Sequence, residues 1–426
     1  MALTPAAIVA PMQLGNSKVL DATSELLISL SQHSSPQSMT ITQLEPLSRS
    51  YLKALKLAMI SVTTPHLRDQ DETVAALSLL FVTGSLIQLY DRSWDGGMSH
   101  LSGTFALLCA KPPNRKPSPA IKASLCAAGF HTFVSPTFAG TVSPFEDPAW
   151  LDMELVHLWN ASEQLLRLRR LSHQLFIKLP RLISGVRALR NGETNVLTEV
   201  ITLSDELMAL EDGEAETWML HRVRIVPTRD RGDKVIVGSF SFEFAALEAM
   251  DAAICYWQTR LTLSRLRSVV VSTTPSALVS EAPHAISNDE SKLHGRTLRL
   301  CANILMTWHC RPEQIRLGPQ PMRHNEHDTL KTVWMALRGC VSYRDVPVAV
   351  VGTWLFKAFQ RSWLGWTSRP SFAQWDEVCA VLDGGPLSSF MLDALKGPTP
   401  SISPHAHKTH KADKTHKATT RRTNAQ

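Results

Sequence analysis

The chain has 426 residues, 44% hydrophobic and 19% charged, a balance that suits a packed core and excludes bulk disorder and collagen-like or proline-rich architectures. Its net charge is +6, but Lys408, Lys411, Lys414, Lys417, Arg421 and Arg422 against Asp413 place +5 of it in residues 397–426. The remaining 38 basic and 37 acidic residues leave the body near neutral, with no overall excess of charge to suit a polyphosphate partner.

Residues 1–45 are rich in Ser, Thr, Gln and Pro and read as a loosely ordered N-terminal segment with one short helix at Lys18–Ser31. No basic residue precedes Lys18, a poor match to a secretory signal. From Pro46 the pattern turns helical, with Ser48 capping a helix through Met59. Asp69 and Glu72 have capping-box spacing ahead of Val74–Tyr90, where apolar groups nearly circle the axis and predict a buried central helix. A third helix, Met98–Ala110, is stopped by Pro112 and Pro113.

A short helix through Ala128 follows, then a connector over Val134–Pro148. Ala149–Leu179 reads as a long helix with Leu165, Leu168 and Leu171 on its apolar face and Arg167, Arg169 and Arg170 on its polar face. Pro180 is expected to interrupt it before helix resumes to Arg190. Another helix spans Asn195–Leu210, and Glu211–Glu216 reads as a solvated acidic turn.

One segment breaks the helical period. Val223 and Ile225 alternate with arginines, and Phe240, Phe242 and Phe244 alternate with polar residues, the period of two expected of a β-hairpin near 222–244. The alternative is a long loop whose second half starts the next helix. Helices are then expected at Phe244–Val270, Ser291–His309, Asp328–Cys340, Val346–Gln360, Phe372–Leu382 and Ser388–Lys396, with a polar linker over 273–290. Asp383-Gly384-Gly385-Pro386 reads as a helix stop. The predicted fold is therefore an all-α, multi-helix domain over 46–396 with a single hairpin. The tail, 397–426, holds an imperfect hexad repeat, Lys408-Thr-His-Lys-Ala-Asp413 then Lys414-Thr-His-Lys-Ala-Thr419, and is expected to be disordered.

Chemistry-bearing patterns are sparse. The seven cysteines are odd in number and lie mostly in apolar helical patterns, which reads as reduced thiols. Cys301, His309, Cys310, His324 and His327 fall in one stretch, but the adjacent His309 and Cys310 cannot easily share an ion, so core thiols and loop histidines are expected. Trp354, Phe356, Phe359, Trp363 and Trp366 read as aromatic core, as does Tyr256-Trp257. Asp91, Trp94, Asp95 and His100 surround a Gly pair that reads as an inter-helix turn. No glycine-rich phosphate loop, nucleophile elbow or nucleophile–base pair is present, so no catalytic residue, cofactor site or metal site is predicted and the chain is not expected to be an enzyme. The apolar run Val346–Phe356 is too short to span a bilayer, and no membrane partner is expected.

Several weak motifs together carry a resemblance. Tyr51-Leu-Lys-Ala-Leu-Lys-Leu57 is followed by Asp71-Glu-Thr-Val-Ala-Ala-Leu77, then Trp94 and Ser99-His100-Leu101-Ser-Gly103-Thr-Phe-Ala106-Leu107-Leu108. Ser143-Pro144-Phe-Glu-Asp147-Pro148-Ala-Trp150 and the helix around Tyr256-Trp257 come later. Their order and spacing are similar to the middle region of fungal-specific transcription factors, over roughly 46–396. The resemblance implies an all-helical regulatory domain in the nucleus that contacts other regulators or a second copy of itself, takes an unidentified effector, and serves a secondary-metabolite or other pathway gene set. That family usually begins with a six-cysteine zinc cluster. The first cysteine here is Cys109, so sequence-specific DNA binding is not carried over and action through protein contacts is expected, unless the zinc cluster is missing from the gene model. The tail cations Lys408, Lys411, Lys414, Lys417, Arg421 and Arg422 are the candidate nuclear-import or nonspecific nucleic-acid contacts. The competing readings are a helical enzyme or ligand-binding protein, with a pocket near His309, Glu326 or Asp383, and an interaction scaffold.

Overall fold

A computed structural model describes residues 14–15, 17–32, 41–90, 96–110, 118–127, 129–151, 162–229, 233–273, 290–308, 323–362 and 370–388. Within these residues the protein is all-α apart from two small antiparallel strand pairs. The expected helix at Ser388–Lys396, all but its first residue, lies outside them, as do Trp363, Trp366 and the whole of the tail with its six cations.

The first helical layer holds α1 (Lys18–Ser31), α2 (Ile41–Thr63), the single turn α3 (Pro65–Arg68), α4 (Asp71–Tyr90) and α5 (Gly96–Ala110). As its all-round apolar pattern predicts, α4 is the buried centre: Leu79 and Leu80 are fully buried, and α1, α2 and α5 pack against it. On α2 the buried stripe is Leu47, Tyr51, Ala54 and Ala58, the spacing that keeps one helix face inward. The short helix expected at Lys18–Ser31 is present, and it is not loose. Leu20, Leu26 and Leu30 join the same core. Helix α2 begins ahead of Ser48 and runs through Pro46, whose fixed φ suits a helix and whose cost is one backbone bond near the first turns.

A second core lies between α9 (Glu163–Arg190) and the helices that follow it. Two proline rules fail here. Pro180 lies inside α9 and does not interrupt it, because Leu175, Leu179, Leu182, Ile183 and Val186 are all fully buried on one face and outweigh the lost bond. Between the two cores come α6 (Pro119–Ala127), α7 (Gly129–Ala139) and the turn α8 (Pro148–Leu151). The expected connector over Val134–Pro148 is thus half helix: α7 passes through Pro136 and buries Phe133 and Phe138. A small third cluster of Val74, Leu108, Leu125, Phe145, Trp150 and Ile177 bridges the first helices to α9.

After α9 come α10 (Leu197–Ala209), α11 (Gly213–Leu220), β1 (Arg224–Pro227), α12 (Lys234–Val237), β2 (Phe240–Glu243) and α13 (Leu247–Thr273). The β1–β2 hairpin is the one read from the sequence, in the register Arg224↔Glu243, Ile225↔Phe242, Val226↔Ser241 and Pro227↔Phe240. Helix α13 packs against α9, and its Ala252, Ala253, Tyr256, Trp257 and Leu261 are fully buried, as expected of the Tyr-Trp pair.

The chain continues through α14 (Glu290–Met306), α15 (Arg323–Leu337), β3 (Ser342–Tyr343), β4 (Val346–Pro347), α16 (Val348–Ser362) and α17 (Phe372–Leu382). The β3–β4 pair corrects the expectation of a single hairpin. Its two-residue turn, Arg344-Asp345, has φ of 48° and 63°. Such turns favour Gly, Asn or Asp, and of the two residues only Asp345 fits. Arg344 is held there by a 2.7 Å bond from Nη1 to the Val237 carbonyl. Helix α17 starts where Ser371 and Gln374 form a capping box. Its Trp375 stacks on Trp334 at 5.7 Å and meets Phe356 and Phe359, the aromatic core expected there. No helix among the described residues is long and apolar enough to cross a membrane.

Candidate functional site

The richest polar constellation among the described residues surrounds the acidic run 205–216. The sequence reads Glu211–Glu216 as a solvated turn. Glu211 and Glu214 are exposed, as that reading has it, but Glu216 is not: Asp212 accepts from the Ala215 N–H at 2.9 Å and caps α11, which carries Glu216 inward to a buried position. There its Oε1 accepts from Trp257 Nε1 at 2.9 Å and from Arg299 Nη1 at 2.8 Å.

Arg260 lies one helical turn beyond Tyr256-Trp257 on α13 and is 1% exposed. Its Nη1 donates to the carbonyls of Leu207 at 3.2 Å, Met208 at 3.3 Å and Leu210 at 3.0 Å, and Nη2 donates to Glu211 Oε2 at 3.2 Å. Helix α10 ends at these carbonyls; the Leu207 carbonyl also accepts from the Leu210 N–H at 3.2 Å, and the buried guanidinium caps the helix end and meets the negative end of its dipole. Burial lowers the Arg260 pKa, reinforced by Arg296, while Glu211 opposes the shift.

Five of the six acids in the run, all but the exposed Glu206, have an arginine partner. Asp205 meets Arg267 Nη2 at 2.8 Å, Glu211 meets Arg296 as well as Arg260, Asp212 accepts from Arg167 Nε at 2.7 Å, and Glu214 accepts from Arg167 Nη2 at 3.4 Å. The hydrogen bond from Arg167 to Asp212 raises the Arg167 pKa. The Asp212 N–H donates to the Tyr256 hydroxyl at 3.3 Å, and burial raises the Tyr256 pKa. Chemically this arrangement neutralises charge and clamps the α10–α11 turn onto α9, α13 and α14. The partners come from positions 167, 257, 260, 267, 296 and 299, which explains why the acidic run looks solvated in the sequence. A signal was nonetheless present: Arg260 sits between Tyr256-Trp257 and Leu261 and Leu263 in one helix, and a buried cation needs acceptors.

Asp383 forms a second node. The Asp383–Pro386 segment is the helix stop expected, with Gly384 at φ +80°. The Asp383 carboxylate is also buried and paired with Arg190 and Arg265, each at 3.2 Å, while Arg187 Nε donates to the Gly385 carbonyl at 2.8 Å. It is thus bound inside the fold by cations. His309 lies outside the described residues, as does the environment of the Glu326 side chain.

In the first layer, the Tyr51 hydroxyl and His100 Nε2 share a short buried hydrogen bond, and burial lowers the His100 pKa. His100 therefore lies inside the core, with Asp91, Trp94 and Asp95 outside the described residues. Of the metal candidates, Cys301 is fully buried and burial raises its thiol pKa, which disfavours the thiolate a metal needs. Cys310 and His309 are outside the described residues, as are the side chains of His324 and His327. Among the described residues no group of three or more His, Cys, Asp or Glu could hold a metal ion.

No protein-family model matches the chain, and neither a curated protein nor a solved structure matches it.

Proposed function

We propose that this chain is a transcriptional regulator whose helical core acts through contacts with other regulators or a second copy of itself. Support comes from the residues that carry the resemblance to fungal-specific transcription factors. Tyr51 from the first motif and His100 from the third hydrogen-bond to each other, and Tyr51 shares one buried core with Ala76 of the second. Motifs that are weak singly thus belong to one packed unit. Phe145 and Trp150 of the fourth motif meet edge to face at 5.0 Å in the cluster between the two cores.

In this reading the protein works in the nucleus on a secondary-metabolite or other pathway gene set. Lys408, Lys411, Lys414, Lys417, Arg421 and Arg422 add import or weak, salt-sensitive DNA affinity. The test is chromatin occupancy of an epitope-tagged copy expressed from its own locus. Discrete promoter peaks are expected. A well-expressed protein with no enrichment anywhere would sink the reading. Deleting residues 397–426 separates the two parts: nonspecific DNA affinity should fall while thermal unfolding stays unchanged.

A further inference from the structure

Arg187, half-buried on α9, carries a charge that no described carboxylate meets. Its Nε donates to the Gly385 carbonyl, and its Nη2 is sealed from solvent with no hydrogen-bond partner among the described residues. Burial lowers the Arg187 pKa, and no acid opposes that shift. Asp383 does not serve it, because two other arginines, Arg190 and Arg265, share that carboxylate. Glu146, in the loop after α7, is paired with Arg181 at 3.1 Å. Among Arg187, Arg190, Arg265 and Asp383, positive charge is therefore in excess.

Two buried hydroxyls belong to the segments that meet Arg187. A Cβ on Gly140, just past α7, would lie 3.3 Å from Arg187 Nη1 and 3.2 Å from Leu387 Cδ1. Thr137 is one turn before Gly140, whose N–H donates to the Thr137 carbonyl at 3.3 Å, and Ser388 follows Leu387 directly. Both side chains are buried, and neither Oγ has a hydrogen-bond partner among the described residues. The end of α7, α9 and the segment 383–388 thus bring to one junction a guanidinium and two hydroxyls, all able to donate. Water could satisfy the hydroxyls but would leave the charge uncompensated. A ligand with several acceptor oxygens and a negative charge answers both needs. The C-terminus of α7 opposes an anion, but with only about half a charge against the full charge of the guanidinium.

We infer that this junction binds a small oxyanion, held by the Arg187 guanidinium with Thr137 and Ser388 donating to it. The inference goes beyond the regulator reading, since oxyanion binding and promoter occupancy can each fail without the other. The test is isothermal titration calorimetry of the full chain with inorganic phosphate at constant ionic strength. One saturable site is expected. Arg187→Gln should weaken it tenfold or more, about the loss of one charge-assisted hydrogen bond. The tail cations are the same in both proteins, so a site that persists unchanged in Arg187→Gln belongs elsewhere and would overturn the inference. The double variant Thr137→Val/Ser388→Ala keeps the guanidinium and removes only hydroxyls that the fold leaves unpaired, so it should fold as the parent does and bind phosphate about fivefold more weakly or worse. It decides the matter should Arg187→Gln fail to fold. Unchanged affinity in the double variant, or no saturable binding by the parent chain, would also overturn the inference and leave the junction to water.

Discussion

The indole N–H of Trp257 donates to Oε1 of Glu216 at 2.9 Å, and both side chains are buried. Forty-one positions separate them in the chain. This bond fastens α11 to the central helix α13 and gives a buried carboxylate its neutral partner, beside the charged partner Arg299. Arg299 is 45% exposed and can return to water, whereas the indole N–H cannot.

Glu216→Ala should therefore cost about 1–3 kcal/mol, mainly for the stranded indole. Glu216→Gln keeps an acceptor for Trp257 and should cost less than half as much, because the half-exposed Arg299 can turn to water. Urea unfolding followed by tryptophan fluorescence would measure both. Equal losses in the two variants would show that the charge, and not the hydrogen bond, matters.

Arg260 predicts a larger effect. Arg260→Ala removes the cap of α10 and leaves Glu211 with Arg296 alone, a loss of about 3–5 kcal/mol. Arg260→Lys should recover only part of this, since one ammonium cannot reach several carbonyls and a carboxylate with a planar fork. Hydrogen exchange should show the loss first at the end of α10. Full rescue by lysine would contradict the capping role.

Gly352 lies in α16, where alanine would ordinarily add about 1 kcal/mol of helix propensity. A Cβ there would lie 2.5 Å from the Trp334 ring. That ring is stacked on Trp375 and bonded through Nε1 to Asp376 at 2.7 Å, so it has little room to yield. Gly352→Ala should destabilise by about 1–3 kcal/mol despite its better propensity. A variant with a raised unfolding temperature would refute this.

The pH dependence has a definite sign. His173 Nε2 is sealed from solvent without a hydrogen-bond partner, and burial lowers the ring's pKa to about 4. The unfolded chain takes up this proton near 6.5, so between about 6.5 and 4 it binds more protons than the folded chain. Stability should therefore be intact above pH 7 and fall as the pH drops through that window, by up to about 3 kcal/mol. His173→Gln should flatten this part of the profile relative to the parent chain. Thermal melts of both proteins from pH 7.5 to 4 would check it, and parallel profiles would exclude His173 as the source.

The all-α class, the β1–β2 hairpin and most helix positions are legible locally. Helix α17 begins where Ser371 and Gln374 announce a cap, and α4 is central because its apolar residues run all the way round. Such signals sit within one or two helical turns, the range over which neighbouring residues set backbone geometry. Pro136 and Pro180 mislead for the same reason: the local rule counts one lost hydrogen bond and cannot count the buried face that repays it. The turn Arg344-Asp345 carries no glycine to announce it, and its conformation is held by contact with Val237 across the fold.

The sequence by itself determined the helical character, the charge split between body and tail, and the motifs behind the regulator reading. Only the tertiary structure decided which charges are inside. Whether an acid is solvated or clamped depends on cations far along the chain, as Glu211 and Glu216 depend on Arg260, Arg296 and Arg299. Whether an apolar residue is core or surface likewise depends on what packs over it. Phe242 and Phe240 stand two positions apart on the same face of one strand, and packing buries the first while leaving the second exposed.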